Sequence, residues 1–177
     1  MRSPNRKTST IRLLFRALVL LALGASIDSQ ASPRPPLELP SATAQSGQEV
    51  LFEIEIAKKD QYLLGIKFLE QNTAGDAARL AQLLGAAALD SSGKWIEQGV
   101  PASFHVRIHK KNKNEEILNE LVDRPKTRAA YGGRIADISL ISLEPGVYLV
   151  SLQYMRLAPA LSAIPGKIFF SKAHHGK

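Results

Sequence analysis

The sequence predicts an all-β protein: an immunoglobulin-like antiparallel β-sandwich of about seven strands with one short helical insertion. Three observations carry this expectation. Apolar and polar residues alternate through most of the chain beyond the proline-rich stretch, which is the period of half-buried strands. Pro-Gly, Gly-Gly and clusters of charged polar residues punctuate those runs at turn spacing. Only one segment changes to a helical period, and nothing alternates strand with helix as a parallel sheet requires.

Taken in order, residues 32–48 carry prolines at 33, 35, 36 and 40 among small polar residues, which reads as an extended leader with a short edge strand near Leu37 to Leu39. The β-sandwich domain is expected over 49–172, with 173–177 as a flexible tail. "VLFEIEI" sets Val50, Phe52, Ile54 and Ile56 on one face against Glu53 and Glu55 on the other. "YLLGIKFLE" repeats the alternation with Tyr62, Leu64, Ile66 and Phe68, and the short polar turn between these two runs suggests a hairpin.

The helical insertion falls near 74–88, where Ala77, Leu80, Leu84 and Ala87 stand at helical spacing, Thr73 and Asp76 could form a capping box, and Gly85 ends or weakens the helix. It is expected over one end of the sheets. "SSGKWIEQG" reads as loop, with Trp95 plugging the core edge. Ala102 to His109 then alternates as a strand, "KKNKN" makes a tip, and a return segment follows. Residues 115–122 are open between strand and helix, because "EEILNELV" combines good helix formers with alternation; the tip favours a hairpin. "DRPKTRAAYGGR" reads as a basic loop, and two strands flank Pro145-Gly146, the residue pair of a type II turn. A loop and a last strand, Lys167 to Ser171, close the chain, with no internal repeat and no second domain.

Residues 1–31 have the order of a secretory signal peptide: Arg2, Arg6, Lys7, Arg12 and Arg16, a short apolar run from Ala17 to Ala25, then small residues. Cleavage fits after Ser26 or after Ala31, the second preferred, and the apolar run is shorter than the roughly 20 residues of a spanning helix. The expected location is periplasmic or secreted. Removing this segment takes five of the 23 Lys+Arg and one of the 16 Asp+Glu, so the net charge falls from +7 to +3. That weakens any nucleic-acid reading based on whole-chain charge, and no nucleic-acid partner is expected. With no cysteine there is no disulfide, so stability rests on core burial.

"SFHVRIHKKNKNEEILNELV" followed by "ADISLISLEPGVYLVSLQYMRLAPALSAIPGKIFF" resembles a family of small exported proteobacterial proteins of unknown function with an immunoglobulin-like β-sandwich. The resemblance spans Val50 to Phe170 and is most recognisable in "LEPGVYLVSL". It brings no catalytic residues. Many members carry a lipid-attachment cysteine at the end of the signal, which this sequence lacks.

Tyr148, Val150, Leu152 and Tyr154 share one face of their strand, and a tyrosine early in such a strand anchors a sandwich corner through its hydroxyl, so Tyr148 is read as frame. His105 and His109 lie on one strand face about 13 Å apart at ~3.3 Å per residue, too far to share one ion, and read as an exposed polar face. His174 and His175 sit in the tail. No cofactor or metal is expected, and no nucleophile, zinc or nucleotide motif is present. The surface feature that stands out is basic: Lys110, Lys111 and Lys113 at the hairpin tip, with Arg124, Lys126, Arg128 and Arg134 in the glycine-bearing loop. If the two loops share one end of the sandwich they suit an acidic protein or an anionic envelope component. The expected function is therefore an exported, non-enzymatic binding protein of the cell envelope. The alternatives are a small envelope hydrolase with His105 or His109 as base, or a structural subunit assembled by strand exchange through the leader.

Overall fold

Apolar rows at period two can bury themselves only by facing another such row, and here two antiparallel sheets do so. The structure, a computed structural model, describes residues 31–41, 45–71, 75–86, 88–113 and 115–173, with the side chains of Ala88 and Trp95 outside this set. Residues 1–30, Thr73 of the expected capping box, Ala87, and His174 and His175 also lie outside the described residues.

The strands are β1 (Leu37–Ser41), β2 (Glu49–Ile56), β3 (Asp60–Leu69), β4 (Ala88–Leu89), β5 (Trp95–Ile96), β6 (Ala102–Lys110), β7 (Glu115–Asp123), β8 (Thr127–Ala130), β9 (Gly133–Leu143), β10 (Gly146–Leu157) and β11 (Gly166–Lys172); the helices are α1 (Asp76–Leu83) and α2 (Pro159–Ser162). One sheet runs β1-β11-β3-β9-β8 and the other β2-β10-β6-β7, while β4 and β5 pair as a small separate ribbon. Among the described residues nine strands thus make the sandwich, where about seven were expected. The additions are edge strands: β8 arises inside the segment read as a basic loop, and the leader supplies β1, which pairs with β11 from Leu37 opposite Phe170 to Ser41 opposite Gly166.

Two-sheet antiparallel architecture is as the alternation predicts, and the path of the chain through it is that of a jelly roll. Apart from the β6–β7 and β8–β9 hairpins, each step between successive sandwich strands crosses from one sheet to the other. The expected β2–β3 hairpin is therefore a corner: β2 pairs with β10, and β3 with β11 and β9. A short polar turn and inward apolar rows suit a hairpin and a corner equally, so periodicity gives the face of a strand but not its sheet. The rows themselves hold: Phe52, Ile54, Ile56, Tyr62, Leu64, Ile66, Phe68, Phe104, Val106, Ile108, Tyr148, Val150, Leu152 and Tyr154 are all buried. Residues 115–122 are strand, opposite β6 from Ser103–Asp123 to Lys110–Glu115.

The corners are closed by hydroxyl groups. Tyr148 is 1% exposed and donates to the Glu144 carbonyl at 2.8 Å, as its place at the start of β10 predicts. Tyr62 does the same on the other sheet, donating to the Lys58 carbonyl at 2.9 Å. Gly146 has φ 150 and opens β10, so the Pro-Gly pair forms a sharp inter-sheet corner in place of the expected type II turn.

The insertion is shorter than its sequence signal. Helix α1 ends at Leu83, and β4 and β5 follow, the latter inside a segment read as loop. Leu80 and Leu84 are buried as the spacing predicts, whereas Ala77 is exposed. Gly85, at φ 59, terminates the helix; a Cβ there would lie 2.3 Å from the Gly99 carbonyl oxygen. Asp76 accepts hydrogen bonds from the Gln71 N–H and from Arg79, which hold its carboxyl below the usual range, the backbone contact first. A second one-turn helix, α2, occupies the closing loop.

The leader is fastened to the outside of β2. The Glu55 N–H donates to Pro33 O at 2.8 Å, Arg34 forks onto Glu55 at 2.7 and 3.0 Å, and Ser32 reaches Glu53. Alongside, Glu53 accepts from Lys111 at 2.7 Å, and Glu49 from Ser151 at 2.5 Å and Arg107 at 2.9 Å. Hydrogen bonds, from Lys111, Arg34 and Ser151 respectively, hold Glu53, Glu55 and Glu49 below the ordinary carboxylate value of 4.5.

Two outcomes follow from these contacts. Tyr148→Phe should cost about 1 kcal/mol in chemical denaturation, because it removes the corner hydrogen bond made by a buried ring while the apolar contact is kept. Because the three glutamates bind protons less readily folded than unfolded, their contribution is present above the unfolded carboxylate pKa and lost as pH falls through the lower folded values. Melting temperature should hold through neutral pH and drop below about pH 4.5, and the drop should shrink in the Glu49→Gln/Glu53→Gln/Glu55→Gln triple variant.

Candidate functional site

Along most of their length β3 and β9 pair residue for residue, Leu63 opposite Leu140 and Leu64 opposite Ser139, but Gly65 then faces Asp137. Ile138 is the extra residue, a β-bulge. The interruption is visible in "ADISLIS", where buried Ala136 and Ile138 give way to buried Ile141, and Leu140 is thrown to the outer face at 58% exposure. Gly65 is required beside it: a Cβ would meet the Phe169 ring at 2.4 Å and the Ala136 carbonyl oxygen at 2.7 Å, so the ring lies directly on the glycine.

A groove of about 540 Å³ lies at this bulge on the outside of the five-stranded sheet. Leu63 and Leu140 give it apolar surface, Gln61 and Ser171 supply neutral donors and acceptors, and two ion pairs border it. Arg128 Nε sits 3.0 and 3.1 Å from the two carboxylate oxygens of Asp137, and Lys172 pairs with Asp60. The Asp60 hydrogen bond raises the Lys172 ammonium above its usual value, so it stays charged and paired. Such a surface, aliphatic with a few fixed polar groups, suits binding.

The basic residues singled out from sequence divide into two groups. Lys110, Lys111 and Lys113 stand at the β6–β7 tip, whereas Arg124 follows the far end of β7, its N–H bonded to the Ala102 carbonyl at 3.0 Å. Eight strand steps at ~3.3 Å put the two loops about 26 Å apart, so they do not form one patch. Several are also neutralised: Lys111 by Glu53 and Arg128 by Asp137, while Lys110 lies 5.7 Å from the Tyr148 ring centroid. Arg134 is half-buried and reaches Thr127 at 3.4 Å. Lys113, Arg124 and Lys126 make no ion pair among the described residues.

His105 and His109 lie on the outer face of β6 with separate partners, Asn119 at 2.7 Å and Glu116 at 3.7 Å. Glu53 and Glu55, the adjacent acidic residues, are each held ionised by a different cation, which suits neither to be a general acid. Sequence reading passed over Gln61, Leu63, Asp137, Leu140 and Ser171, which converge from three strands. Only Arg128 belongs both to the basic set and to the groove.

Among proteins of curated function none is recognisably similar in sequence. Among solved structures, a crystal structure of a protein from Sulfurospirillum deleyianum superposes at TM-score 0.64 with 19% identity, covering 79% of this chain and 98% of the other, which establishes the shared fold. Two weaker likenesses, each at TM-score 0.35, are the pre-peptidase C-terminal domain of collagenase from Bacillus anthracis and CBM35 from Cellvibrio japonicus Abf62. The first has 7% identity and covers 78% of this chain and 93% of that one; the second has 16% identity and covers 76% and 70%. No helix among the described residues is long and apolar enough to cross a membrane. Residues 38–172, the sandwich from its first strand to its last, match the family described as Domain of unknown function (DUF5625), and the chain belongs to that family.

Proposed function

We propose that this is an exported, non-enzymatic binding module of the cell envelope, and that it recognises its partner through the groove beside the β9 bulge. The observation that carries this reading is the bulge itself: it turns Leu140 out of a buried strand to stand beside Leu63 between two fixed ion pairs, on a face that core packing does not need. A rigid sheet supports the groove from below, so binding orders few side chains and loses little conformational entropy. Export rests on the basic-then-apolar order of residues 1–31, and the unit Ser32–Lys177 is the part that would act outside.

Two measurements test these halves separately. Residues 1–31 fused to a reporter that is active only outside the cytoplasm should confer activity, and the Arg2, Arg6, Lys7 to Glu triple change should abolish it. Isotope-labelled protein titrated with separated polymer, small-molecule and protein fractions of an envelope extract should show amide shifts clustered at Gln61, Leu63, Leu140 and Ser171. Arg128→Ala should weaken the response several-fold. Shifts confined to the Lys110–Lys113 tip would move recognition to the loops, and no shift with any fraction would remove the groove from consideration.

A further inference from the structure

The short strand β8 leaves part of its neighbour uncovered. Its pairing with β9 begins at Thr127 opposite Ala136, and one more bond, from the Asp137 N–H to the Lys126 carbonyl at 3.1 Å, ends the ladder. Beyond this, β9 continues from Ile138 to Leu143 with β3 on one side. The direction of its backbone groups follows from the ladder. The Ala173 N–H donates to the Gln61 carbonyl at 2.8 Å, so Gln61 and Leu63 turn their amides toward β11, and Tyr62 and Leu64 turn theirs toward β9. On β9, Ile141 and Ser139 answer them, which leaves the N–H and C=O groups of Leu140 and Ser142 pointing away from the sheet. Both residues are exposed, and among the described residues neither makes a backbone bond to a further strand.

Across this gap stands a carboxylate on the inward side of its strand. Glu120 is exposed at the sandwich edge, lies opposite the buried Val106, and has one long hydrogen bond, from Ser139 Oγ at 3.4 Å. It makes no ion pair among the described residues, in contrast to Glu49, Glu53, Glu55 and Asp137.

From this we infer, deepening the groove reading above, that the ligand is an extended segment of another polypeptide. It adds a strand to β9 in line with β8, about 4.8 Å away, and pairs with the exposed amides of Leu140 and Ser142. A residue opposite Ser139 on that strand points inward, toward Glu120, and a basic side chain there neutralises it. The next residue points outward, beside Leu140 and the groove, and is apolar. The complement is thus an extended peptide that alternates apolar and polar residues with one lysine or arginine. A second copy of this chain fits less well, because β9 presents Asp137, Ser139 and Ser142 and no basic residue along the open edge.

The test is selection of a random ten-residue peptide display library on protein produced from the full chain. Enriched peptides should share an alternating pattern with one fixed basic position. Ser142→Pro removes an outward N–H and leaves the β3 ladder intact, and it should weaken the selected peptide at least tenfold, while Ser142→Ala should not. Glu120→Lys should exchange the basic preference for an acidic one. Should Ser142→Pro fail to fold, amide hydrogen exchange on the native protein takes its place, and the peptide should slow exchange at Leu140 and Ser142. No enrichment, binding indifferent to Ser142→Pro, an unchanged charge preference in Glu120→Lys, or concentration-dependent dimers that occlude this edge would each overturn the inference. A polymer or small molecule that still shifts Gln61 and Leu63 would leave the groove standing without the added strand.

Discussion

One apolar layer, entered from both sides by successive strands, governs this molecule. Because the chain changes sheet at almost every connection, each strand delivers its inward row against the rows of its neighbours in sequence, and the core closes only when both sheets are complete. A crossing between sheets takes backbone groups out of the ladders, and they need other partners. At two of the crossings a tyrosine hydroxyl, from Tyr62 and from Tyr148, donates to the carbonyl four residues upstream, so the polar tip of a buried ring is satisfied at the corner. The ring of each tyrosine packs into the core that the corner closes, and Tyr62 stacks on Phe170 with centroids 5.8 Å apart.

Much of this was legible in the residues. Alternation placed Phe52, Ile54, Ile56 and their counterparts in β3, β6 and β10 on the inward face, and the position of Tyr148 after a Pro-Gly pair identified a corner anchor. Sheet membership was not legible, since "AKKDQ" turns a hairpin and a corner alike. Nor was the distance between the basic loops, because seven charged residues within a short span of sequence are separated by the length of the strand that lies between them. The groove was hidden for a related reason: Gln61, Leu63, Leu140 and Ser171 come from strands far apart in the chain. Its one local signal was the broken alternation at Ile138, which marks a bulge once the partner strand is known.

The contrast between the two ends of each sheet explains where function can reside. One edge of the sandwich is the better covered, as β1 pairs with β11 from Leu37 to Ser41 and Pro33 accepts a bond from Glu55 of β2. The other is only partly sealed, because β8 stops short and β7 carries acidic side chains along its length. Charges on an edge strand ordinarily discourage indiscriminate pairing. Glu120, beside Ser139, adds to that row a carboxylate that makes no ion pair among the described residues.

The seal between β1 and β11 also sets the order of events in folding. The first strand of the sandwich finds its partner in the last, so the β1 edge of the five-stranded sheet is unfinished until residue 172 has been made. Contacts between such remote segments close slowly, since a long loop must be ordered before any bond rewards it. A chain built this way holds its first strand without its partner for as long as its C-terminal strand is withheld.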